Sequence, residues 1–523
     1  MTTNRERMRV VIAGGGVAGL EALLALSALA RDLVEVEIVS PDGEFVFRPM
    51  LVAEPFGAAE VLRFDMSQVV AEAGATHVRD ALVSVDPAGG TVATAGERSL
   101  AYQALIVATG ARPVEAVPGA LTFSGAEERR RFGDMLHALG RRRTRRLAFV
   151  VPPGVSWSIA AYELALLTAA ERDARRLPGV ELLVVTHESA PLEALGAAAS
   201  QLLTARLAEA GVAVEAGRAA ERVDGGELVL ASGETIEAAG FIALPVLEVD
   251  PIPGLPQRDG GFVQTDSRMQ VAGLESVWAA GDVTWFPVKQ GGLAAQQADA
   301  AARSIAAIAG AHVPVEPFHP VLRAALITGG TPDFLRSDLP SREPADTSSG
   351  RALWWPPAKV AGKYLGPYIA ARLGEEHEAT ELVDLEAPAD ADDDAAEHEG
   401  AVALILAAAD ADADAGDYEG ALRWLALAEQ LDLVIPAGYV PRRYEWRRNL
   451  DPSIGADAAA ARIDPTFESS EAAIRELERR LGWMRELGGQ AEDEMRRHLS
   501  DLDSDMEHLR ALTRRAGIFK SSG

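Results

Sequence analysis

Residues 9–26 read RVVIAGGGVAGLEALLAL, and this stretch decides the fold. Arg9 to Ala13 is a short β-branched run, the pattern of a strand buried on both faces. GGGVAG follows at once. Leu20, Leu23, Leu24 and Leu26 then run with Ala22 and Ala25, uninterrupted by Pro or Gly, toward a second strand pattern, VEVEIV, at 34–39. The succession is a βαβ unit. At its turn Gly14 permits the tight exit from the strand, Gly16 lets the backbone approach a pyrophosphate, and Gly19 lets the helix lie close on the strand. The positive helix end faces the phosphates. Dinucleotide binding follows. One position departs from the pattern: where an Asp or Glu normally takes the ribose hydroxyls, the second strand ends in Ser40, so Ser40 or Asp42 is the expected substitute.

A chain of 523 residues exceeds what one hydrophobic core usually supports, so two or three domains are expected. The formal charge of −28 argues against a nucleic-acid partner, since a polyanion is bound by excess Lys and Arg. The cluster 141-RRRTRR-146 is a local exception; it reads as a solvated helix end, with an anion or membrane-surface patch as the competing reading. There are no cysteines. That excludes disulfide reductases, thiol peroxidases, cysteine nucleophiles and thiolate-bound metals, and no metal site is expected. Redox chemistry must therefore reside on a cofactor. The N-terminus runs into the first strand without the apolar stretch of roughly 7–15 residues that marks a signal peptide. No apolar run approaches the roughly 18 residues of a membrane span. A cytoplasmic protein is expected, with peripheral contact at the inner face of a membrane left open.

Two later stretches extend the pattern. The first, 104-ALIVATGARP-113, is an apolar strand ending in Thr109-Gly110; the second, 277-VWAAGDV-283, is a strand ending in Gly281-Asp282, with a helix from about Gly292. In this order they resemble the ATG and GD signatures of the FAD-dependent pyridine nucleotide-disulfide oxidoreductase-like family. The resemblance covers roughly residues 8–375. It implies an α/β fold of two Rossmann-like dinucleotide-binding domains, the FAD domain (1–145 and 246–320) being split around the second (146–245). An interface segment (321–375), an acidic linker (376–400) and a mainly α-helical C-terminal extension (401–523) would follow. FAD contacts are expected at Gly14, Gly16, Gly19, Ser40, Arg48, Thr109, Gly110, Asp282 and Gly292, with Asp282 bonding the ribityl or pyrophosphate region.

The second domain repeats the βαβ scheme with LAFVV, a helix over Ile159–Ala170 and VELLVV at 180–185. Its turn, 152-PPGVSWSIAAYE-163, keeps only Gly154 where three glycines are expected. Two prolines remove amide donors, and Trp157 crowds a pyrophosphate. Glu188 stands where a ribose-binding acid would sit, although a solvated strand-end carboxylate fits as well. NAD(P)H binding through Gly154 and Glu188 stays open. The proline-containing turn, YELALL and the T-x-E of VTHES resemble sulfide:quinone reductases and the flavin subunit of flavocytochrome c sulfide dehydrogenases. Those relatives oxidise sulfide through paired cysteines, which are missing here, so that mechanism is excluded. The scaffold they share with type II NADH:quinone oxidoreductases remains, and with it three readings: a flavin oxidoreductase delivering electrons to a quinone or similar acceptor, an NAD(P)H dehydrogenase, and a flavin-bearing interaction protein.

In the family the helix after the GD signature points its N-terminus at the flavin pyrimidine, where negative charge gathers on reduction. By that resemblance Lys289 and Gln290, in 284-TWFPVKQGGLAAQQADAAARSIA-306, are the candidate catalytic residues; a solvated lysine is the alternative. The segment 354-WWPPAKVAGKYLGPYIA-370 resembles the part of these relatives that packs over the flavin and helps form a quinone pocket. Trp354, Trp355 and Tyr364 would contact an aromatic acceptor and Lys359 would anchor it, against the alternative that the tryptophans close a core. From Glu375 to Glu399 there is no Lys or Arg, the composition of a solvated linker. Tyr418, Leu422 and Leu425 then sit at helical spacing, which resembles one tetratricopeptide-type hairpin, with core packing as the default reading. Stripes at Ile474, Leu477, Leu481 and Met484 and at Met495, Leu499, Leu502, Met506 and Leu509 suggest a homo-oligomer contact or a protein-partner element.

Overall fold

A computed structural model describes residues 7–57, 61–138, 146–177, 179–339, 346–374, 382–384, most of 405–430, residue 435 and residues 439–450. The arginine run at 141–145, nearly all of the acidic stretch and the stripes beyond Leu450 lie outside these.

The opening pattern forms strand β1 (Met8–Ala13), helix α1 (Val17–Ala30) and strand β2 (Val34–Val39), joined in one sheet by β3 (Thr76–Val78) and β4 (Ala104–Val107). Val10, Val11, Ile12 and Ala13 are all buried, as a strand covered on both faces requires. The chain then builds a second sheet from β5 (Leu121–Thr122), β6 (Arg146–Val151), β7 (Glu181–Thr186), β8 (Val212–Glu215) and β9 (Gly240–Ala243), with helix α2 (Ile159–Ala174) crossing from β6 to β7. Only afterwards does β10 (Val277–Ala279) return to the first sheet, beside β4. The spatial orders are β10-β4-β1-β2-β3 and β5-β9-β6-β7-β8, and every pairing is parallel. These are two Rossmann-like units, one threaded through the other.

Helix α3 (Gly291–Ala309) packs along α1. Both present small residues, and Gly281 sits at the crossing: a Cβ there would lie 3.1 Å from the Ala18 side chain and 3.5 Å from that of Ala294. A three-stranded antiparallel sheet follows (Val321–Leu326, Asp333–Asp338, Asp346–Ser349). Its buried Asp333 accepts two hydrogen bonds from Arg206, at 2.8 and 3.0 Å. Trp354 is fully buried against Phe334, rings 5.4 Å apart and edge-on, and its indole N–H donates to Ala358 O. Trp354 and Trp355 pair with Val383 and Asp384, so part of the acidic stretch forms a short strand.

Helix α4 (Leu365–Arg372) ends the interface segment, and helix α5 (Tyr418–Gln430) lies in the helical extension. The chain divides into two compact units, Met1–Val434 and Ile435–Gly523, so α5 belongs with the nucleotide-type domains. In the second unit the described helix is Tyr439–Leu450, with the Tyr439 and Trp446 rings edge-on.

Candidate active site

The turn from β1 into α1 is built so that only glycine fits at two positions. A Cβ on Gly14, whose φ is +125°, would stand 2.0 Å from Ala108 O, and one on Gly19 would stand 1.9 Å from Gly14 O. Both collisions are with backbone, which cannot swing aside. Gly16 differs: a Cβ there would meet nothing within 4 Å. Gly16 is also the N-cap of α1, which has no side-chain cap and no acidic residue in its first turn. Its first amides are thus left for an outside acceptor, and the space over them is open; a pyrophosphate matches those donors. Ser40 is buried at the end of β2, close enough to crowd any side chain on Gly15, and His77 bonds its carbonyl. Thr109 and Gly110 follow β4 at the same edge, where Ala108 N bonds Ala13 O at 2.7 Å.

Asp282 leaves β10 at this edge. Burial raises its carboxyl above the ordinary value, opposed by the charges of Lys289 and then Arg48. Lys289 is buried, donates to Thr284 O, and lies 4.2 Å from the Phe262 ring centre. Burial and the neighbouring Arg423 push its ammonium well below the usual lysine range, against the pull of Asp282 and Glu419. The charges of Lys289 and Arg48 thus both act on Asp282. The glutamines serve the scaffold. Gln290 caps α3 by accepting from Leu293 N at 3.0 Å and donates to Arg323 O, while Gln297 accepts from Gly281 N at 2.8 Å. Gly292 sits under the Gln290 carboxamide in the first turn of α3.

In the interface segment Lys359 does not point to open space. Its ammonium meets both oxygens of the buried Glu163 at 2.7 and 2.6 Å, and Glu163 also accepts from Ile327 N. Tyr364 and Leu365 donate their amides to Glu21, at 2.9 and 2.7 Å, so a carboxylate from α1 caps α4. Glu21 and Glu163 are not among the site candidates of the sequence, although Glu163 lies in the YELALL motif. Each is nevertheless the lone charge in an apolar stretch of helix, and that is the signal that would have found them.

Burial pushes Glu21 up from 4.5 to about 7, outweighing the amides that lower it. A carboxyl raised on folding contributes stability that is fully present below pH 4.5 and is lost as pH rises through about 7. The Glu21→Gln variant lacks this loss. The stability gap between wild type and variant is expected to move toward the variant by on the order of 3 kcal/mol from pH 4.5 to 8. Denaturant unfolding across that range measures it, and a gap independent of pH would contradict the assignment.

In the second domain Gly154 adopts φ +83°. Glu188 is buried and already engaged: Ser158 Oγ donates at 2.8 Å, Thr186 Oγ1 at 3.0 Å, and the Tyr162 hydroxyl donates as well. Burial raises its carboxyl, and the hydroxyl of Ser158, the N-cap residue of α2, is spent on this acid. A cavity of about 200 Å³ lies against Gly154, Trp157 and Glu188.

Residues 8–304 match the model of the pyridine nucleotide-disulphide oxidoreductase family. The chain belongs to this family. Membership makes it a flavin-dependent oxidoreductase. An NADH dehydrogenase-like protein of Mycobacterium tuberculosis is 29% identical over 305 residues, covering 53% of this chain and 72% of that one. In fold the chain is similar to the sulfide:quinone oxidoreductase of Aquifex aeolicus, with a TM-score of 0.59 at 20% identity over 66% of this chain and 87% of the other. It is also similar to a ferredoxin reductase of Rhodopseudomonas palustris, with a TM-score of 0.50 at 18% identity over 66% and 92%. Among the described residues no group of side chains is arranged to hold a metal, and no helix is long and apolar enough to cross a membrane.

Proposed function

We propose that the protein binds FAD at the Gly14–Gly19 turn and passes electrons through the flavin to a quinone or similar acceptor, with no disulfide step. The observation that carries this reading is a turn shaped for a pyrophosphate in a chain without cysteine. Gly16 and the free amides of α1 hold the phosphates, while Ser40, Thr109, Gly110 and Asp282 lie along the same edge for the rest of the cofactor. The bound flavin supplies two-electron and one-electron redox chemistry. The protein's part is electrostatic: the N-terminus of α3, at Gly292, would present positive potential where negative charge develops on reduction, with Lys289, whose ammonium burial disfavours, close by. Trp355 and Tyr364 remain the acceptor-side candidates, Trp354 being committed to the core and Lys359 to Glu163. A quinone is a lipid-phase acceptor, so contact with a membrane surface from the cytoplasmic side belongs to the same proposal.

The second reading is an NAD(P)H dehydrogenase, favoured by the likeness to an NADH dehydrogenase-like protein. The acceptor is tested by reducing the purified flavoprotein anaerobically with dithionite and mixing it with a short-chain quinone. Prompt return of the oxidised flavin spectrum is expected. Return no faster than in a quinone-free control would overturn the acceptor assignment.

A further inference from the structure

The family match ends at residue 304, yet the chain beyond it comes back to the second domain. In a βαβ unit the loop after the first strand faces the pyrophosphate with its amides. Here that loop faces carboxylates from the extension. Asp417 caps α5, accepting from Gly420 N at 2.8 Å, and its other oxygen lies 3.6 Å from where a Cβ on Gly154 would stand. Asp412 accepts from the Trp424 indole at 2.9 Å and lies 3.9 Å from His187, beside the buried Glu188. Arg423 reaches the other side of the cleft, 5.4 Å from the Phe262 ring centre and 5.8 Å from that of Trp285, next to Lys289. Ala426 is buried in the core cluster that contains Phe262 and Trp285. The extension is thus docked on both nucleotide-type domains.

Two physical consequences follow. The cavity left between Trp157 and the extension, about 200 Å³, is smaller than the roughly 300–1,000 Å³ that bury a drug-sized ligand. A pyrophosphate brought to Gly154 would also meet Asp417 at contact distance in a poorly screened cleft, where like charges repel strongly. We propose that the segment from Ala408 through α5 is the specificity determinant of the second domain: it fills the nucleotide groove, excludes NAD(P)H, and leaves access only to a compact molecule without phosphate groups. The proposal rests on the flavoprotein reading and deepens it by naming what the donor is not.

The absence of native cysteine supplies the probe. In the holoenzyme, Ala426→Cys places a single thiol under α5. Its maleimide labelling is expected to be at least about tenfold slower than that of free glutathione, and unchanged by millimolar NADH or NADPH. Wild type is expected to show no NAD⁺ binding in calorimetry. Ala426→Arg, which forces a charge beneath the helix, is expected to show NAD⁺ binding in the same calorimetry, at least about tenfold tighter than the weakest affinity that the wild-type titration would have detected. Three results would overturn the proposal: tight NAD⁺ binding by wild type while the thiol of the Ala426→Cys variant stays protected, labelling accelerated by the nucleotide, or no gain in an Ala426→Arg variant that keeps its flavin. Should that variant fail to fold, the labelling and wild-type binding arms still decide. Quinone reoxidation run on the same wild-type preparation separates a failure of the acceptor reading from a failure of this one.

Discussion

Gly14→Ala is expected to yield a chain that purifies without flavin. The added methyl group would stand 2.0 Å from Ala108 O at a residue whose φ is +125°, so it is opposed by a rigid neighbour and by its own backbone. Strain of this kind costs about 1–3 kcal/mol per feature, and with two features at one residue the FAD affinity is expected to fall about a hundredfold or more. Titration of the flavin-stripped chain with FAD measures the loss. The melting temperature of the apoprotein should fall as well, because the collision is with the protein itself. Retention of full flavin content by this variant would mean that β1, α1 and the Thr109 loop are not packed as described.

The second large effect is expected at Glu163. Its carboxylate is buried, meets Lys359 with both oxygens and accepts the Ile327 amide. Removing it in Glu163→Ala strands a buried ammonium, which typically costs about 3–5 kcal/mol. Replacing both partners, Glu163→Leu with Lys359→Met, removes the charge problem and leaves only the Ile327 N–H without its acceptor, a cost of about 1–3 kcal/mol. Denaturant unfolding of the three holoproteins should therefore show the double variant to be more stable than the single one. The opposite order would mean that the pair is held open to solvent. The pair fastens α2 of the second domain to the segment that follows the antiparallel sheet. It also explains why Lys359, an obvious anchor for an acceptor when read as sequence, is engaged elsewhere.

The parts of the fold legible in the sequence are those governed by short-range rules. A β-branched run, a glycine turn and an apolar helix have one favourable arrangement, so β1, α1 and β2 can be drawn from residues 8–39 alone. The departures at the Gly154 turn are legible for the same reason, since the two prolines and the tryptophan that replace the expected glycines stand in the loop itself. Illegible are the partners of buried polar groups. Glu21 lies 343 residues from the amide of Tyr364 that it accepts, and Glu163 lies 196 residues from Lys359. No local pattern encodes such pairs; their trace is a charge where the helix periodicity asks for an apolar residue. The glutamines of α3 illustrate the converse. Gln290 reads as a candidate catalytic residue, but it caps the helix, while Gln296 holds Val321 and Gln297 holds Gly281. The spacing of Tyr418, Leu422 and Leu425 reads as a helix with a packed face, but it does not say what that face packs against. Ala426 of α5 is buried with Phe262 and Trp285, residues of the first unit that the helix's own sequence does not describe.

The central claim is that the N-terminus of α1 receives a dinucleotide, and Gly16→Ala tests it most directly. At this position the protein offers no obstacle: the methyl group meets nothing within 4 Å, and φ is −82°. The flavin-stripped variant is expected to unfold within about 1 kcal/mol of wild type, the usual scale of an N-cap change. Its FAD affinity is expected to fall at least about tenfold, because the methyl group enters the space kept for phosphate. Undiminished FAD affinity in a stable Gly16→Ala chain would contradict the account.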